Sequence, residues 1–195
     1  MECCILNKYI NKNNQTNKKI ETALLQLMKH KNLDKITMNE VATEAAVNRV
    51  TVYRHFDDKW SIVEEIEQNL LTEITKPHNQ MLDKLAAKSD NGILYLTNFL
   101  KAFEQNLNTL KILLSGNGDL AFPNKLMNYL LQMEELSHPI MHLNISKDMQ
   151  DLFSFYGISA LIGIIRFWTL HPQYSAKEMA TFFFKMRTGE LSMID

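Results

Sequence analysis

Helix breakers are scarce in this chain. Six glycines and four prolines among 195 residues leave long stretches of Leu, Ile, Met, Lys and Asn uninterrupted, a usage that favours helices. Nowhere do polar and apolar residues alternate over a sustained run, so no sheet is expected. Cysteine is nearly absent too. The two present, Cys3 and Cys4, are neighbours near the N-terminus. Adjacent thiols cannot staple a fold, which excludes a disulfide scaffold and points to a reducing, cytoplasmic setting. The start, MECCILNKYINKNNQTN, has an acid at position 2 and only a short apolar patch. It lacks the basic start and long apolar core of a secretion signal. Residues 1–16 read as a polar, mobile arm, with a minor-groove contact through Lys8 and Lys12 as the lesser alternative.

Catalytic signatures are missing as well. There is no paired carboxylate, no activated nucleophile and no Gly-rich phosphate loop, since SGNGD at 115–119 lacks the preceding strand and the lysine. His138 and His142 are four apart, but Pro139 stops them sharing a regular helix, so no metal site is expected. The chain is read as neither an enzyme nor a cofactor carrier.

Net charge is −1 and by itself says nothing about nucleic acid; its distribution says more. Residues 1–55 carry nine Lys/Arg against five Asp/Glu, and residues 56–75 carry one Lys against six Asp/Glu. The positive end stops with the stretch EVATEAAVNRVTVYRHFDDKW, residues 40–60. Upstream, Ile20, Leu24, Leu27 and Met28 share one face of a helix predicted over about 17–31. Thr37-x-x-Glu40 is a capping-box pattern that opens a second helix. Ala45-Ala46-Val47 makes a tight turn, and Asn48 can cap a short third helix from Arg49 to His55. Asp57 or Asp58 caps a fourth that runs to Thr75, and Pro77 is expected to break the helical path just beyond it.

Helix, small-residue turn, helix is a helix-turn-helix pattern. Ala42, Val47, Val52 and Phe56 hold the pair against the first helix, which leaves Arg49, Thr51, Arg54 and His55 facing outward. A helix of this diameter fits the DNA major groove. Arg49 can donate two hydrogen bonds to guanine, Val50 and Thr51 can meet a thymine methyl, and Tyr53 can reach a phosphate. Lys59 and Thr37 sit at helix starts where backbone N–H groups also meet phosphates. The candidate contact set is Thr37, Asn48, Arg49, Val50, Thr51, Tyr53, Arg54, His55 and Lys59.

The order of these residues is itself informative. LDKITMNEVATEAAVNRVTVYRHFDDKWSIVEEI resembles the N-terminal domain of the TetR family of bacterial transcriptional regulators, through Ile36-Thr37, the VA and AAV after it, and TVYRHFDDK. The resemblance covers roughly residues 17–75. It departs at Ala46, where the family usually has Gly, and at Asp57-Asp58, two acids beside the expected backbone contact. The resemblance implies an all-α fold of about nine helices, with a three-helix DNA-binding domain over 17–75 and a divergent helical domain for dimerisation and ligand sensing over 76–195. Further helices are expected at about 78–88, 91–106, 108–114, 121–136, 148–171 and 175–188.

In the second domain, FYGISALIGIIRFWTLHP and SAKEMATFFFKM look like the last two helices, which would pair with a second copy as a four-helix interface. Gly157, Leu161, Ile164 and Trp168 follow a 4-3-4 spacing, and Met179, Phe183 and Met186 supply the second helix. Leu152 to Leu170 holds one charge, Arg166, and nears the roughly 20 residues that span a bilayer. A buried dimer helix is the preferred reading, with no membrane partner. Phe99, Phe103, Met127, Met133, Phe153 and Tyr156 are large, adaptable side chains on the helices that line the pocket in the family. The expectation is a homodimeric regulator of a palindromic operator, a repressor released by an apolar or amphipathic small molecule. The alternative on the same fold is a DNA-organising or cell-division scaffold with no inducer, which many operator copies would favour.

Overall fold

The computed structural model describes residues 2–86, 92–135 and 146–188. Nine α-helices and no strand occur among them: α1 Glu2–Met28, α2 Met38–Glu44, α3 Arg49–His55, α4 Lys59–Ala86, α5 Gly92–Gln105, α6 Leu107–Leu113, α7 Phe122–Glu135, α8 Lys147–Leu170 and α9 Ala176–Thr188. A 3-10 turn, Leu33–Lys35, stands between α1 and α2. The chain divides into two compact units, one of Met1–Asn69 with Ser115–Leu120, the other of Leu70–Leu114 with Ala121–Asp195.

In the first unit, Ile20, Leu24 and Met28 of α1, Val41 and Ala42 of α2, Val52 of α3, and Ile62, Val63 and Ile66 of α4 are all buried, with α1 packed on α2 and α2 on α3. Each such side chain removed from water contributes about 1.5–3 kcal/mol, which is what holds helices of only seven residues in place. α1 begins at Glu2, well before the expected start near Asn17, so helical backbone runs through the polar segment read as an arm.

Two sequence expectations for the second unit need correction. Pro77 does not end α4, which continues through it to Ala86. A proline inside a helix removes one hydrogen bond and costs about 3 kcal/mol. The burial of Ile74 and His78 on either side of it and the anchoring of Thr75 Oγ1 to the Tyr129 hydroxyl of α7 offset that cost. The other concerns three members of the set assigned to the dimer; Ile164, Met179, Phe183 and Met186 of that set line the open groove of α8 and α9. Gly157, Leu161 and Trp168 point into the protomer, with Leu161 and Trp168 3% and 0% exposed. Trp168 is fixed further by its Nε1–H, which donates to the Tyr174 carbonyl at 2.8 Å. Met179 and Phe183 of α9 are buried as well. The outward face of α8 is the neighbouring row, Tyr156, Ala160, Gly163, Ile164 and Phe167. With Met179, Phe182, Phe183 and Met186 of α9 it lines an open, mainly apolar groove of about 1190 Å³, edged by Lys177, Glu178 and Lys185.

α8 is long and apolar enough to cross a bilayer by length and composition, with mean hydropathy 1.4, and 44% of its most apolar window is buried in the protein. α5 packs along α9, and Glu104 of α5 accepts the Ala176 N–H at the start of α9 at 2.9 Å. Of the side chains expected to line a ligand pocket, Phe99, Phe103 and Met133 are buried and Met127 is half-buried. Phe153 and Tyr156 are exposed, Tyr156 at 61%, because they fall on the outward side of α8; they do not line an interior pocket.

His78 is the unforeseen member of this interior. It is buried, meets Phe99 edge-on at 5.7 Å, and its Nδ1 has no hydrogen-bond partner. Phe99 in turn meets Phe103 edge-on at 5.3 Å. Burial pushes the imidazole pKa below its ordinary 6.5, against a smaller upward pull from the Asn79 side chain. The unfolded chain therefore takes up a proton at a higher pH than the folded one. The stability tied to the neutral ring is complete above about 6.5 and declines as pH falls below it. Melting curves between pH 7.5 and 5 should show the wild type losing stability toward acid more steeply than His78→Phe; parallel profiles would mean that the ring does not titrate in this way.

Candidate nucleic-acid interface

α2 is set by its ends. Thr37 Oγ1 accepts the Glu40 N–H at 3.3 Å, and Glu40 Oε2 accepts the Thr37 N–H at 2.9 Å, a complete capping box. Glu40 also pairs with Lys31 of the preceding turn at 2.6 Å. The Lys31 hydrogen bond first, then those from Thr37, hold the Glu40 carboxyl down to about 2. At the other end, the Val47 N–H reaches the Ala42 carbonyl and the Ala46 N–H reaches that of Thr43, the bonding of a Schellman turn. That turn needs a left-handed residue, and Ala46 supplies it with φ 52. The methyl group there costs about 1–2 kcal/mol, part of which glycine would return as backbone entropy in the unfolded chain. Ala46→Gly should therefore raise stability by roughly 0.5–1 kcal/mol, seen as a later denaturation midpoint; an earlier one would contradict the strain.

α3 comes immediately after. Asn48 Oδ1 accepts the Val50 N–H at 2.8 Å and starts the helix. Val52 is fully buried, which turns Arg49, Val50, Tyr53 and Arg54 outward as one row. Val50 is 58% and Tyr53 45% exposed, large apolar surface to leave in water on so small a helix. The Arg49 guanidinium lies 5.3 Å from the Tyr53 ring centre, so its direction is partly set in advance.

Three expected members of the set are differently employed. His55 Nδ1 pairs with Asn17 Oδ1 of α1, which holds the ring half-buried against that helix. The Lys59 ammonium donates to the Asp34 carbonyl at 2.6 Å and to the Ile36 carbonyl at 3.0 Å, capping the 3-10 turn. The Thr37 hydroxyl is taken up by Glu40 within the capping box, although Thr37 itself is exposed. Thr51 is half-buried. Lys59→Met should therefore lower the stability of the first unit by about 1–3 kcal/mol by stranding two carbonyls. A variant as stable as the wild type in urea would return Lys59 to the role of a free surface cation.

Trp60, 44% exposed at the start of α4 beside Lys59, is a surface aromatic that the sequence pattern did not single out; its only signal was a tryptophan one residue past the DDK that opens the helix. α4 itself is opened by Asp58, whose Oδ1 accepts the Ser61 N–H at 2.8 Å. No group of three or more metal-ligating side chains occurs among the described residues; His138 and His142 lie outside them.

Residues 20–66 match the family model described as bacterial regulatory proteins, tetR family. Residues 90–189 match that of a transcriptional regulator C-terminal region. An uncharacterized HTH-type transcriptional regulator, YxbF of Bacillus subtilis (strain 168), is 23% identical over 149 residues. That match takes in 76% of this chain but only 38% of the relative's length. Among solved structures, a TetR transcriptional regulator from Streptococcus agalactiae 2603V has a TM-score of 0.60 at 21% identity, covering 93% of this chain and 98% of that one. The fatty acid degradation regulator FadR from Bacillus halodurans has a TM-score of 0.65 at 13% identity, covering 90% and 96%. At such identities the likeness is one of fold. The C-terminal model alone takes in more than half of the chain and the N-terminal one the whole helix-turn-helix, so the chain belongs to the TetR family of bacterial regulatory proteins.

Proposed function

We propose that the protein is a sequence-specific DNA-binding regulator, a repressor that acts as a two-fold dimer and is released by an apolar or amphipathic small molecule. The observation that carries the reading is the outward row Arg49, Val50, Tyr53 and Arg54 on a helix whose opposite side is anchored by Val52. That row combines a hydrogen-bond fork, an apolar contact and a phosphate-reaching hydroxyl on one major-groove-sized face. Dimerisation through the groove of α8 and α9 would cover its apolar lining and present two copies of α3.

Release would run through α4. Its second part, from Leu70, carries His78 against Phe99, which in turn meets Phe103, while its first part opens with Lys59 on the turn before α2. A ligand lodged beside Phe99, Phe103 and Met133 that displaces α4 would favour a dimer whose reading helices are mis-spaced. A coupling of about 2–3 kcal/mol lowers DNA affinity about 30- to 150-fold.

The test is transcription in vitro from a promoter carrying a duplex recovered by selection. The reading expects the protein to reduce transcript, and a compound that raises its melting temperature to restore it. Increased transcript would turn the repressor into an activator. Compounds that stabilise the protein without loosening DNA would remove the release step.

A further inference from the structure

Hydroxyl groups inside the second unit have partners close at hand. That of Thr97 donates to the Ile93 carbonyl at 2.7 Å, and that of Thr169 to the Arg166 carbonyl at 2.8 Å. The half-buried hydroxyls of Thr75 on α4 and Tyr129 on α7 donate to the Leu71 carbonyl at 2.9 and 3.2 Å. His78 Nδ1 is the exception. Among the described residues of this unit it is the one buried side-chain nitrogen or oxygen without a hydrogen-bond partner, on a side chain only 5% exposed. Leaving a buried acceptor unpaired is unfavourable, and native structures keep few of them.

The chemistry of this nitrogen follows from its surroundings. Burial lowers the imidazole pKa, and the Asn79 side chain pulls it part of the way back, the effect of a ring N–H that donates to the amide oxygen. Nδ1 has no partner, so that proton sits on Nε2. At neutral pH the ring is uncharged, and Nδ1 carries a lone pair and no proton. Its setting is apolar. The ring meets Phe99 edge-on, Phe99 meets Phe103 in the same way, and Ile74, Leu100 and Phe103 are fully buried. A water on Nδ1 would need about two to four polar partners. Phe99 offers none, and the Thr75 hydroxyl, one turn back on α4, is committed to Leu71.

We propose that His78 Nδ1 is the polar anchor of the small-molecule site, and that the ligand is a neutral amphipath with a hydroxyl or N–H at one end of an apolar body. The proposal rests on the small-molecule reading above and names the chemistry of the ligand. The ligand donates to Nδ1, and its apolar part lies against Phe99 and Phe103. An ether of the same length has no proton to donate. A carboxylate has none either, and it would set an anion against a lone pair in an apolar interior. A site built on one buried acceptor rejects analogues that leave it unpaired.

The experiment offers the whole protein 1-octanol, octyl methyl ether and octanoate at pH 7.5. Binding is read by titration and by melting temperature, and the 15N signals of the His78 ring, assigned through His78→Phe, report on Nδ1 itself. The alcohol should bind about tenfold tighter than the ether or octanoate, although the ether is more apolar, and should shift Nδ1 toward the position of a hydrogen-bonded nitrogen. His78→Phe should bind alcohol and ether alike. His78→Gln, which keeps an acceptor, should retain part of the preference. Equal binding of alcohol and ether by the wild type overturns the anchor. So does an alcohol preference that survives in His78→Phe, or a wild type that binds neither compound. Anisotropy with a duplex recovered by selection keeps the anchor apart from the release step. An alcohol held by His78 that leaves the duplex bound supports the anchor and removes release; alcohol and ether that bind equally and both free the duplex support release and overturn the anchor.

Discussion

Gly163→Glu should split the protein into folded monomers and abolish operator binding. Gly163 lies on the outward row of α8, lines the apolar groove, and has no atom within 4 Å of where a Cβ would stand. A side chain therefore fits in the isolated protomer, and leaving glycine raises helix propensity by about 1 kcal/mol. In a four-helix interface the same carboxylate would lose its water against Ile164, Phe167 and Phe182, at a cost of several kcal/mol. Loss of the second reading helix then removes the avidity of two half-sites, roughly 100-fold or more. Sedimentation at micromolar concentration should give twice 22.7 kDa for the wild type and the single mass for the variant, with unchanged helical circular dichroism. A variant that stays dimeric would put the interface elsewhere. Leu161→Glu is the contrast: it buries its charge inside the protomer and should unfold the second unit.

Arg49→Ala should weaken DNA binding almost as severely. A bidentate arginine–guanine contact is worth about 1–3 kcal/mol, and a two-fold dimer loses it twice, which makes roughly 2–6 kcal/mol and about 30- to 10⁴-fold in affinity. Stability should barely move, because the guanidinium is exposed and its contacts are with Tyr53 alone among those seen. Tyr53→Phe keeps the ring beneath Arg49 and should cost far less. Anisotropy titrations at fixed salt measure both; Arg49→Ala binding within about threefold of wild type would mean that α3 lies in the groove in another register.

The parts of the molecule written in short sequence windows were readable from the start. Thr37 with Glu40, Asn48 with Val50, and the Ala45-Ala46-Val47 turn depend on residues within four or five positions of each other, which is the range capping chemistry spans. The outward face of α3 was legible in part: Val52 fixes the inward side and Arg49 and Arg54 face outward as expected, but Thr51 and His55, expected beside them, are half-buried and Val50 and Tyr53 complete the row. The face of α8 was not. Gly157, Leu161, Ile164, Trp168 and Tyr156, Ala160, Gly163, Phe167 have the same 4-3-4 spacing on an apolar helix, so periodicity cannot choose between rows about 100° apart. Packing against the rest of the second unit chooses.

Long-range partners account for the other misses. Asn17 captures His55 across 38 positions. Lys59 turns back to carbonyls at 34 and 36. Pro77 is carried through α4 by burial on both sides. Helical spacing says nothing of any of these. Phe153 and Tyr156 were assigned to a pocket by residue type, and the rotation of α8 puts them outside.

Selection of bound duplexes from a random pool by the wild-type protein decides whether two copies of α3 read DNA together. A two-fold dimer reading with Arg49, Val50, Tyr53 and Arg54 predicts enrichment of an inverted repeat, its half-site centres about one helical turn (34–36 Å) or more apart. A pool that stays unenriched, or that yields one unpaired half-site at concentrations where the protein sediments as a dimer, would contradict it.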